Sequence, residues 1–132
     1  MDLLATENIV KTQLEVRLKK KLGKKYPKLT VTNIYSEDNP NFPNVYVHEL
    51  EPSEVGMDLS NQRIHAKRST IQINVSANTT LADALAVSNA CVEILKLLRY
   101  TIIVFPTHME TNNLYTYVIR ARRIIALGDE FN

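Results

Sequence analysis

The chain has 132 residues, is 45% hydrophobic and 23% charged, and carries a formal net charge of +2. That length predicts one domain able to bury a real core, and so small a net charge gives no ground by itself for nucleic-acid or membrane binding. The single Cys91 leaves no intramolecular disulfide to form and points to a reducing site of assembly. The first residues, M-D-L-L-A-T-E, carry acid where a signal peptide needs basic charge, and no apolar run approaches a membrane span. The expectation is therefore a protein made and assembled in a cytoplasm.

Residues 7–24 read as the first helix. Thr6 is the expected N-cap, Glu7 suits the positive end of the dipole, and Ile9, Val10, Leu14, Leu18 and Leu22 form one apolar stripe. Lysines gather in its last turns, and Gly23 and Pro27 mark the stop. Residues 1–28 hold eight Lys/Arg against three acids, whereas residues 36–60 hold six acids and no Lys or Arg. Two segments of opposite sign in one small chain are able to pair within it or between copies of it.

Leu29 to Ser36 reads as a strand. Glu37 to Asn44 is turn chemistry, rich in Pro and Asn, and leads into a strand at Val45 to Leu50. This link predicts an antiparallel pair. Residues 51–64 have no apolar periodicity of either kind and read as a long loop, of the sort that is usually functional or ordered by a partner.

The stretch from Lys67 to Leu98 organises the rest. Ile71, Ile73 and Val75 alternate with Thr70, Gln72 and Asn74, the pattern of a strand with one buried face. Thr80 and Asp83 then open a helix, and Leu81, Ala84, Leu85, Ser88, Cys91, Val92, Leu95 and Leu98 recur at helical spacing. Ala86, Val87, Ala90 and Ile94 extend its apolar face well beyond what covering a sheet requires. The excess must be covered by the first helix or by another subunit.

Thr101 to Phe105 reads as a strand, continuing toward Met109, and Glu110 to Asn113 as a turn. Leu114 to Leu127 is the longest β-type run and should pair with the strand before it as a hairpin. Tyr115, Tyr117, Ile119, Ala121, Ile125 and Leu127 share one side, interrupted by Arg123. Arg120 and Arg122 lie on the other. The order α-β-β-β-α-β-β predicts an α+β fold: one domain, a largely antiparallel sheet of about five strands, and two helices on one face.

Catalytic chemistry has little to work with. His48, His65 and His108 are scattered without metal-ligand spacing, Cys91 lies within an apolar helix, and no nucleophile elbow or phosphate-cradling glycine loop is present. No enzyme, metal or cofactor is expected. The informative residues are those of a contact surface: Lys19, Lys20, Lys24 and Lys25 at the end of the first helix; Glu49, Glu51, Glu54 and Asp58 around the long loop; and Arg120 and Arg122 on the last strand.

Three stretches carry a family resemblance: N-F-P-N-V-Y-V from Asn41 to Val47, S-T-I-Q-I-N-V-S from Ser69 to Ser76, and L-Y-T-Y-V-I-R-A-R-R from Leu114 to Arg123. With their order and the chain length, they resemble the tail terminator (tail completion, minor tail protein U-like) proteins of long-tailed bacteriophages. The basic first helix and the very apolar run from Thr101 to Pro106 depart from that pattern. The resemblance implies a structural virion protein at the head–tail junction, assembled in the host cytoplasm as a ring, typically of six copies. It would cap the tail tube, end tube polymerisation and offer a docking surface to the head connector or stopper protein. DNA would pass through its bore without sequence-specific binding, and neither catalysis nor membrane is involved. The alternatives are another head–tail joining protein, a stopper or adaptor, and a nucleic-acid-binding module using the basic residues 11–28.

Overall fold

The computed structural model describes residues 6–33, 42–50, 53–57, 64–111 and 114–126. Its elements are α1 (Thr6–Leu22), β1 (Thr30–Thr32), β2 (Asn44–Glu49), β3 (Ser53–Met57), β4 (Ile64–Ala77), α2 (Leu81–Leu97), β5 (Thr101–Thr111) and β6 (Leu114–Ala126). The sheet runs β1-β2-β4-β6-β5, with β3 pairing separately with β4. This is the predicted α+β fold, with one strand more than the sequence pattern indicates.

Alternation in β4 builds one wall of the core. Ile71, Ile73 and Val75 stand opposite Ala121, Ile119 and Tyr117 of β6, and opposite Glu49, Val47 and Val45 of β2. The three β4 side chains, both valines and Ile119 are fully buried. Above them lie Val10, Leu14 and Leu18, one turn apart along α1, and Val87, Cys91 and Leu95 of α2, in the same cluster. Both helices thus occupy one face of the sheet. The apolar excess on α2 is covered within the chain only in part: Val87, Ala90 and Ile94 are buried in the cluster that α1 shares, whereas Ala86 is half-buried and Leu81, Leu85 and Leu97 are exposed.

Each helix end has a local cause. At the start of α2 the Thr80 hydroxyl accepts from the Asp83 amide at 3.1 Å, as the capping pattern predicts. At its other end Arg99 takes a left-handed backbone, φ 68°. Its amide donates to the Lys96 carbonyl at 3.0 Å and that of Tyr100 to the Leu95 carbonyl at 2.9 Å, a Schellman closure normally completed by glycine. α1 ends at Leu22, where the Gly23 amide donates to the Lys19 carbonyl; a Cβ at 23 would stand 2.3 Å from that oxygen. Thr6 is the first residue of α1 rather than the cap before it.

Four further expectations change. β1 and β2 pair in parallel, Thr30 opposite Asn44, not antiparallel. A parallel pair needs its second strand to start from the same end of the sheet as the first, which a tight hairpin loop of two to five residues does not allow. β1 is also shorter than its predicted strand, and residues 34–36 lie outside the described residues. The predicted loop at 51–64 contains β3, antiparallel to the start of β4, which therefore begins at Ile64. Main-chain pairing at a sheet margin needs no apolar periodicity, so side-chain pattern is blind to it. Finally, β5 continues through Pro106 to Thr111, and its pairing with β6 shifts register between Ile102 and Val104 and between Val104 and Thr107. A missing amide is tolerated there because β5 is an edge strand.

Candidate functional site

β6 sorts its arginines between the two sheet faces. Arg123 points into the core beside Ser69, is 7% exposed, and its guanidinium donates to the Leu98 carbonyl at 2.9 Å. A cation thus meets the negative end of α2, where carbonyls lack helical partners. Ser69 donates to the Glu49 carboxylate at 2.9 Å and lies 3.0 Å from the Tyr100 hydroxyl. Its single hydroxyl proton goes to Glu49, so Tyr100 is the donor in the second bond. Burial pushes the Tyr100 phenol up to about 12; the Glu49 charge adds to this, while the Arg123 charge opposes it. The amide of Glu49 donates to Glu7 at 2.9 Å, and Asn33 reaches the other Glu7 oxygen at 3.2 Å. This polar end of the core ties α1, β2, β4, α2 and β6 together.

Arg120 and Arg122 lie on the opposite face, both exposed. β6 is not an edge strand, because β4 and β5 flank it. Arg120 donates through Nε to Gln72 at 2.9 Å, and Gln72 donates to Asn74 at 3.2 Å. Beside these amides, Tyr46 and His48 of β2 stack with ring centroids 4.9 Å apart. Arg68, which sequence pattern overlooks, is exposed and opposite Ile124 on β6. It has the same parity as Thr70 and Gln72, the one signal that places it on this face.

The four lysines of the candidate surface, Lys19, Lys20, Lys24 and Lys25, are exposed at and just beyond the end of α1. Lys21 among them is engaged: it pairs with Glu93 of α2, and that contact holds the Glu93 carboxyl below its usual range. Lys25 lies over the Tyr26 ring, 5.5 Å from its centroid. Of the acids, Glu49 is drawn into the Ser69 contact described above. Glu54 stands opposite Lys67 in the β3–β4 register. Glu51 and Asp58 lie outside the described residues. The structure therefore brings the lysines together; of the four acids only Glu49 has a described side chain, and it is engaged at Ser69.

An open groove of about 400 Å³ lies between the end of α1 and the start of α2, lined by Lys25, Tyr26, Lys28, Pro43, Thr79 and Asp83 among others. Its polar groups are already joined: Tyr26 and Thr79 both donate to Asp83, at 2.9 and 2.5 Å. These bonds, Thr79 first, hold the Asp83 carboxyl below its usual value. Burial pushes the Cys91 thiol up to about 12, which makes it a poor nucleophile at neutral pH. His48 is on the stacked pair, and His108 tilts against Tyr117 at 5.8 Å. Among the described residues no three His, Cys, Asp or Glu side chains gather as a metal site, and no helix is long and apolar enough to cross a membrane.

No protein-family model matches the chain, and a search of the curated proteins finds no match.

Proposed function

We propose that the chain is a ring-forming structural protein of a phage virion, which caps the tail tube, ends its polymerisation and presents a docking surface to the head connector. The observation that carries this reading is the position of the three stretches that resemble tail terminators. They become β2, β4 and β6, consecutive neighbours in the middle of the sheet. A resemblance spread over separate parts of the sequence thus converges on one structural unit. The proposed mechanism is geometric: a closed head-to-tail ring presents one face that continues the tube and another that does not. No reaction is assigned to it.

The exposed lysines at the end of α1 supply one half of a head-to-tail contact, and the acidic residues around 51–58 of a neighbouring copy supply the other. This charge match weakens as salt screens it. Sedimentation across a salt series, with electron microscopy of the assembled species, tests both levels. Rings that cap purified tail tubes support the reading; a chain that stays monomeric and leaves tubes growing overturns it. Lys20→Glu with Lys24→Glu is expected to abolish ring assembly. Rings that persist in this variant, and that ignore salt, refute the charge match while leaving the cap intact.

A further inference from the structure

We infer that the open sheet face around Arg68, Arg120 and Arg122 binds the phosphate backbone of a nucleic acid. Arg120 and Arg122 are successive same-face positions on β6, about 6.8 Å apart along a strand. Arg122 stands opposite Thr70 of β4, and Arg68 is the same-face residue before Thr70. Arg68 and Arg122 are therefore diagonal neighbours, about 7–8 Å apart. Three exposed guanidinium groups share one corner of two interior strands. They do not guard an edge, and none forms an ion pair with a described residue.

Like charges set this close on one sheet face repel one another unless an anion lies between them. Among the described residues, none supplies that anion. Of the acids with described side chains, Glu49 turns inward to Ser69, and the others belong to α1 and α2 on the far side of the sheet. Gln72 orients Arg120 through a neutral amide, which fixes the guanidinium without cancelling its charge. The rest of its N–H fork is left for a phosphate, to which its geometry is suited.

The neighbouring strand favours a nucleic acid over an acidic protein segment. His48 stands opposite Gln72, so the arginine corner borders the half-buried Tyr46 and His48 rings, which stack on each other. Arginines beside aromatic rings on an open sheet suit a polymer with phosphates for one and bases for the other. The inference rests on the tail-cap reading only in naming DNA as the polymer; the surface itself stands on the sheet.

Fluorescence anisotropy of labelled DNA, duplex and single-stranded, titrated with the full chain between ~50 and ~200 mM salt, tests this. Arg120→Gln with Arg122→Gln should weaken binding about tenfold or more at low salt and flatten the logarithmic salt dependence by about 2. Lys11→Gln with Lys28→Gln removes the same charge elsewhere and should leave the salt dependence near that of the parent. Three outcomes overturn the inference: no DNA binding at low salt, equal losses in both variants, or a peptide of residues 49–58 binding the arginine face while DNA does not. Unchanged thermal unfolding of the arginine variant excludes misfolding. Sedimentation of the same variants separates the two readings: rings that no longer bind DNA uphold this face without touching the cap. DNA binding without rings upholds this face and counts against the cap.

Discussion

Arg122 and Arg123 are adjacent in sequence and face opposite worlds. Arg123 is buried, spends its hydrogen bonding on the end of α2, and shares its corner with Glu49, Ser69 and Tyr100. Arg122 is exposed on the opposite face and forms no ion pair with a described acid. The strand's period of two separates them, and the helices decide what that separation means. On the covered face a charge must be satisfied by the chain itself. On the open face it is left for something else. The same chemistry is structural at one position and available for contact at the next.

The contrast between faces is sharpest for stability. Ile73→Ala should cost about 3–4 kcal/mol, because it opens a cavity beneath both helices. Asn74→Ala, one residue on and facing out, should change stability by no more than about 0.5 kcal/mol. Urea unfolding of the pair checks this, and similar losses would mean that the outer face is also packed. Next comes the arginine pair. Arg123→Met should cost about 2–4 kcal/mol by leaving buried polar partners unmet, against about 0.5 kcal/mol or less for Arg122→Met.

Arg99→Gly probes the corner from the backbone side. Relief of a left-handed arginine at the α2 closure should stabilise by about 0.5–1 kcal/mol, after the greater freedom of an unfolded glycine is set against it. A loss instead would show that the Arg99 side chain contributes more than its strained backbone costs. The smallest effect is a pH one. The folded Asp83 carboxyl lies below its ordinary 3.8, held there chiefly by Thr79 and Tyr26. Its contribution is therefore present above that value and lost as pH falls through the folded pKa. The stability difference between the parent chain and Asp83→Asn should accordingly shrink as acid unfolding is followed from about pH 5 to pH 3.

Much of this fold was legible beforehand. Ile71, Ile73 and Val75 declared their buried face, Thr80 and Asp83 their helix start, and the β5–β6 hairpin its partners, because each is written in side chains a few residues apart. What escaped depends on pairing at a distance. β3 is held by main-chain bonds to the start of β4, and β1 and β2 pair in parallel in a register that local turn residues do not encode. Of the candidate surface, the exposed lysines and Arg120 and Arg122 were legible as charge on a helix end and on one strand side. Arg68 was legible only through its parity with Thr70 and Gln72; that it meets Arg122 was not, because the two positions are more than fifty residues apart.

The sequence by itself determined the class of fold, the two amphipathic helices and the parity of every central strand, since local periodicity follows from backbone geometry alone. It left undecided where the excess apolar face of α2 would go and what Arg123 was for. Only the tertiary structure decided these. α1 shares one buried cluster with Val87, Ala90 and Ile94 of α2, and the end of α2 falls within reach of Arg123. Burial and hydrogen-bond satisfaction belong to elements meeting in space, and no window along the chain contains them.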